Sequence, residues 1–152
     1  MKLLVAVVLF AAGCGAKSPG PAAPTQAEPT ASVALPDLPF DKLDHDQRIE
    51  FMKQKVIPAM KPVFQRHDPK GFADFGCQTC HGPEAKDGHF DMPNPRLPKL
   101  NFGDMSKFSK EDIEWMGKEV LPTMAQVLGE PVHSKENPKG FGCLHCHTQE
   151  GG

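Results

Sequence analysis

Apolar side chains recur at steps of three and four residues in two stretches of the chain. Ile49, Met52, Val56, Ile57, Met60, Val63 and Phe64 make the first stripe, and Ile113, Met116, Val120, Leu121, Met124, Val127 and Leu128 the second. That period puts each set on one face of an α-helix. The second helix carries a start signal: Ser109 as N-cap, Asp112 in the capping-box position and Phe108 placed to staple onto Ile113. The first is predicted to begin near Asp44. Pro58 and Pro122 fall inside the stripes, where proline lacks a backbone donor and crowds the preceding turn, so a kink is expected in each helix.

The two stretches are copies of one unit. Ile49-Glu50-Phe51-Met52 matches Ile113-Glu114-Trp115-Met116, and Val56-Ile57-Pro58-Ala59-Met60 matches Val120-Leu121-Pro122-Thr123-Met124, at a constant offset of 64 residues. Further on, Pro69-Lys70-Gly71-Phe72 matches Pro138-Lys139-Gly140-Phe141, and Phe75-Gly76-Cys77 matches Phe141-Gly142-Cys143 at an offset of 66. Phe141 serves both matches, so the second copy is compressed after a longer loop. Each copy reads helix, loop, cysteine motif, over about residues 44–81 and 108–147.

The first forty residues have a different character. Met1-Lys2, the apolar run LLVAVVLFAA and then Gly13-Cys14 predict an export signal over residues 1–13. The run from Leu3 to Ala12 is too short to cross a bilayer core of about 30 Å as a helix. Ala11-Ala12-Gly13-Cys14 resembles the lipobox of bacterial lipoprotein signal peptides, which implies a lipid anchor on Cys14 in the cell envelope. Gly15 in the second mature position, in place of Asp, fits outer-membrane sorting, facing the periplasm or the cell surface. Residues 14–39 are rich in Pro, Ala, Ser and Thr, too poor in large apolar groups to fold, and are predicted to be a tether. Residues 40–152 must then carry the function.

Composition narrows the choice. The 152 residues carry a formal net charge of −2, without the basic field on which general nucleic-acid binding depends, so no nucleic-acid partner is expected.

The chemistry lies in Cys77-Gln78-Thr79-Cys80-His81 and Cys143-Leu144-His145-Cys146-His147, both Cys-x-x-Cys-His. That spacing is the attachment signature of c-type haem. Two thiols three residues apart on one turn can each add to one vinyl group of the same porphyrin, and the adjoining histidine is left under the iron. The competing zinc site, built from two Cys-x-x-Cys pairs, is disfavoured by the histidine after each pair, the export signal and the wide separation. Thioredoxin-like chemistry lacks its βαβ pattern. Of the five cysteines, one is assigned to lipid and four to two haem c groups, so none is left over.

What such haems can do depends on the sixth iron position: a thioether closes the iron at raised potential, a second histidine closes it at lower potential, and an open position permits ligand chemistry. Met60 and Met124 are the predicted distal ligands, with His81 and His147 proximal, because a Pro-x-Met step recurs upstream of both motifs. Met52 and Met116 are assigned to packing. His67 and His133 remain alternatives to methionine and are otherwise expected in solvent, as are His45 and His89; His145 is expected to point away from the iron. Phe51 and Trp115, at equivalent places, are expected to pack. Pro93 to Lys99 reads as an extended crossover, with Arg96 and Lys99 facing either haem propionates or solvent.

A helix bearing an axial methionine, then a loop, then Cys-x-x-Cys-His resembles the haem unit of the tetrahaem cytochrome subunit of photosynthetic reaction centres. The likeness runs from about Ile49 to His147 and covers half of such a subunit, with two units rather than four and a proline before each ligand. It implies Met60 and His81 at one iron, Met124 and His147 at the other, and units paired by local two-fold symmetry. The resulting expectation is a mostly α, small multihaem cytochrome c domain: two helix–loop–Cys-x-x-Cys-His units around two haems, with long irregular loops. A carrier of single electrons between redox protein partners is the leading function, with no small-molecule substrate. A dihaem peroxidase-like enzyme with one open iron is the alternative from another class, and a haem-based sensor a third.

Overall fold

A computed structural model describes residues 34–151; the predicted export signal, Cys14 and the predicted tether up to residue 33 lie outside the described residues. Asp44 caps the first helix: its carboxylate accepts from the Gln47 N–H at 2.9 Å while the Gln47 side chain accepts from the Asp44 N–H at 3.0 Å. This reciprocal box starts α1, His45–Phe51. Ser109 likewise starts α4, Lys110–Trp115, its hydroxyl accepting from the Asp112 N–H at 2.9 Å. Here the Asp112 carboxylate turns to the Ser109 hydroxyl, 2.7 Å away, and the box is not closed on the backbone.

The two inner prolines each follow a widened helical turn. A π-helical turn, Met52–Val56, follows α1, and α2, Ile57–His67, follows it with Pro58 in its first turn. The second copy repeats the arrangement with a π-turn at Met116–Val120 and then α5, Leu121–Leu128, carrying Pro122. The Ile57 N–H donates to the Met52 carbonyl and the Leu121 N–H to the Met116 carbonyl, five residues back in both cases. The cause is the ring of proline, which in α-register collides with the carbonyl four residues earlier; a wider turn moves that carbonyl aside and uses the donors that remain.

One extra residue per turn shifts the buried face. Across each π-turn the inward positions are spaced five and then four: Phe51, Val56, Met60 in one copy and Trp115, Val120, Met124 in the other. Ile113, at the head of the predicted stripe, is consequently 38% exposed, while Trp115 is buried. The core is built where α2 packs on α5 and on the π-turn of the other copy. Val56, Met60, Val63, Phe64, Phe75 and Trp115 form its buried centre, with Met52, Met116 and Met124 packed against it. The Phe64 ring meets Phe72, Phe75 and Trp115 at centroid distances of 4.9, 4.8 and 4.9 Å.

Helix is the main regular structure, with no strand among the described residues, only isolated bridges at Leu100–Gln149 and Val132–Phe141. Long irregular segments follow α2 and α5 and connect the copies. No helix among the described residues is long and apolar enough to cross a membrane.

Candidate functional site

The first motif forms one helical turn, α3, Cys77–His81. The second begins as a 3-10 turn, Cys143–His145, and ends in irregular backbone at Cys146 and His147. Both turns are started by the same device. The Thr79 hydroxyl accepts from the Gly76 N–H at 3.1 Å, and at the equivalent position His145 Nδ1 accepts from the Gly142 N–H at 3.0 Å. His145 is therefore a capping group, facing its own turn and lying against Phe141. All four cysteines are unpaired thiols.

The crossover between the copies brings the motifs together. Asn94, 4% exposed, donates its side-chain amide to the Cys80 carbonyl at 2.8 Å and its backbone N–H to the Cys146 carbonyl at 2.9 Å. Its side-chain oxygen accepts from the Arg96 N–H at 2.9 Å. The two carbonyls belong to the peptide units that lead into His81 and His147, so one residue fixes both. Gly82 makes room: its φ is +79°, and a Cβ there would stand 3.3 Å from the Arg96 side chain and 3.5 Å from the Asn94 amide. Beyond Asn94 the crossover runs along the second motif, with the Leu100 N–H donating to Thr148 and the Leu100 carbonyl accepting from Glu150, each at 2.9 Å. Arg96 pairs with Glu84.

The two histidines are held differently. His147 Nδ1 lies 2.9 Å from the Pro98 carbonyl, which can only accept; Nδ1 therefore donates, and Nε2 is the ring nitrogen left to face a metal. His81 Nδ1 is buried with no hydrogen-bond partner, and the Phe90 ring stands edge-on to the imidazole with centroids 5.4 Å apart. Burial lowers the His81 pKa, opposed by the Phe90 backbone, and so favours the neutral ring. Burial also pushes the Cys80 thiol up to about 12, with Cys146 and then Cys77 adding to the effect, and the Cys146 thiol to about 11. The influence of Cys146 on Cys80 is a second sign that the motifs are neighbours.

Met60 is 3% exposed within the aromatic cluster, and Met124 and Cys80 pack against the same cluster from half-buried positions. The structure thus gathers both methionines and one motif cysteine, Cys80, around one core, with Cys143 exposed. His67 is not in solvent as expected: it stacks on Trp115, centroids 3.9 Å apart and planes 2° from parallel, and its Nε2 lies 2.8 Å from an Asp112 carboxylate oxygen. His133 Nδ1 meets the Pro138 carbonyl at 3.0 Å. Among the described residues, no three His, Cys, Asp or Glu side chains gather as a metal-binding group.

Asn94 and Pro98 were hidden in a stretch that reads only as a proline-rich connection. The one hint was position, since this stretch lies between the two copies. No family model, curated protein or solved structure matches the chain.

Proposed function

We propose that the protein is a dihaem c-type cytochrome that carries single electrons between redox partners of the cell envelope, held at the membrane by lipid on Cys14. Cys77 and Cys80 would bind one haem and Cys143 and Cys146 the other, with His81 and His147 as proximal and Met60 and Met124 as distal ligands. The observation that carries this reading is the coincidence of two repeats. Each Cys-x-x-Cys-His turn lies downstream of the same helix, π-turn, proline and methionine, and one buried asparagine joins the two turns.

The residues fit the group. His147 uses Nδ1 on the Pro98 carbonyl and leaves Nε2 to face a metal, and burial favours the neutral ring of His81. The thiols of each pair are three residues apart on a turn capped at its glycine. Met60 and Met124 sit in apolar surroundings, where a thioether is a stable ligand and water is kept away. When bound, haem supplies the one-electron chemistry. The chain supplies fixed ligand orientation through Asn94 and Pro98, which limits rearrangement between oxidation states, and the apolar shell, which sets the potential.

The deciding experiment is the mass of the denatured full-length protein expressed with a haem-attachment apparatus. It should exceed that of the processed polypeptide by two haem groups, and a mass with neither would end this reading. A high-spin centre that binds cyanide and turns over peroxide would favour the enzyme instead.

A further inference from the structure

The surroundings of His81 and His147 differ in two of the features through which a protein sets the potential of a bound haem: hydrogen bonding to the ligand, and the polarity of the shell. His147 Nδ1 donates to the Pro98 carbonyl at 2.9 Å. Such a bond makes the imidazole a more basic ligand and stabilises the oxidised, more positive metal. His81 Nδ1 is buried with no hydrogen-bond partner. His81 is the weaker donor of the two.

The shells differ in the same sense. Cys80 packs with Met60 against the aromatic core. The second motif instead turns Cys143, Leu144 and His145 outward, with Leu144 40% exposed. An apolar shell disfavours the form with extra positive charge, so it too raises the potential at His81.

Resting on the dihaem reading above, we propose that the two sites are unequal by construction: the haem held by Cys77, Cys80 and His81 has the higher potential, and that held by Cys143, Cys146 and His147 the lower. A molecule that has taken one electron from a one-electron donor protein holds it at the His81 site. Only the electron is redistributed; no proton or other atom moves. The asymmetry gives a symmetric-looking pair a direction, with the more exposed motif passing electrons inward and the half-buried motif retaining them.

The test is stepwise reduction of the full-length, haem-loaded protein, followed by nuclear magnetic resonance with each haem assigned through its contacts to His81 or His147. When half of the total charge has been added, the reduced-to-oxidised ratio at the His81 site should exceed that at the His147 site at least tenfold, about 59 mV for a one-electron couple. Equal occupancy, or the reverse order, overturns the proposal. Pro98→Gly, which loosens the backbone carrying the acceptor carbonyl, should raise the potential at the His147 site alone; movement at both sites or at neither removes the hydrogen bond as the cause. Protein lacking haem by mass would instead defeat the dihaem reading, so the two failures are distinct.

Discussion

The side-chain amide of Asn94 donates to the carbonyl of Cys80 at 2.8 Å from a buried position in the crossover between the two copies. The backbone of the same residue holds Cys146. The motifs are 66 residues apart in sequence, yet the peptides that bear both histidines meet at one residue. A buried amide is tolerated there because both kinds of polar group on it are used.

Removing that side chain should therefore be costly. Asn94→Ala leaves the Cys80 carbonyl and the Arg96 N–H without their partner, and each unsatisfied buried group costs about 1–3 kcal/mol. Asn94→Asp keeps the acceptor for Arg96 but loses the donor to Cys80, so it should also be destabilised. The midpoint of urea unfolding should fall in both variants, and a midpoint equal to that of the wild type in Asn94→Ala would show that the bond carries no stability.

The methionines can be separated from packing by conserving volume. Met60→Leu and Met124→Leu replace the thioether with a side chain of similar size, a change that costs less than about 1.5 kcal/mol in a core. Each should abolish the near-infrared charge-transfer band of methionine-ligated low-spin haem at one centre and open that iron to carbon monoxide. Spectra unchanged in both variants would return the two methionines to the core and leave the sixth position to another residue.

The contact of His67 in the first copy with Asp112 in the second has a pH signature. The Ser109 hydroxyl first, and His67 second, hold the Asp112 carboxyl below its ordinary value of 3.8. The folded protein then binds fewer protons at this group than the unfolded chain, so its contribution is complete above 3.8 and disappears as the pH falls through the lower folded value. Asp112→Asn should flatten the dependence of thermal midpoint on pH below 3.8. An identical acid limb in variant and wild type would exclude Asp112 as a contributor.

The anchor is tested apart from the haems. Cys14→Ser, expressed in a bacterium that processes lipoproteins, should leave the membrane fraction or remain unprocessed, whereas the wild type should be membrane-bound with acyl chains on Cys14. Wild-type protein recovered as a soluble species with a free Cys14 thiol would contradict the anchor.

The sequence by itself determined the duplication, both helix starts, the equivalence of the two motifs and the packing role of Met52 and Met116, since each depends on residue type at short spacing. A capping aspartate or a Cys-x-x-Cys-His turn needs nothing beyond its own few residues. Tertiary structure decided the rest. The period of 3.6 put Ile113 inward with the rest of its stripe, but a π-turn ahead of Pro122 breaks that period and Ile113 is left 38% exposed, while Trp115 packs as its place in the repeat predicted. His67 left solvent because the opposite helix offered it an indole face and a carboxylate. Asn94 looked like a linker residue, and Pro98 like a rigid spacer, because the carbonyls and the imidazole they serve belong to segments far along the chain. Such partners become neighbours only when two copies fold against each other, and no local pattern encodes that meeting.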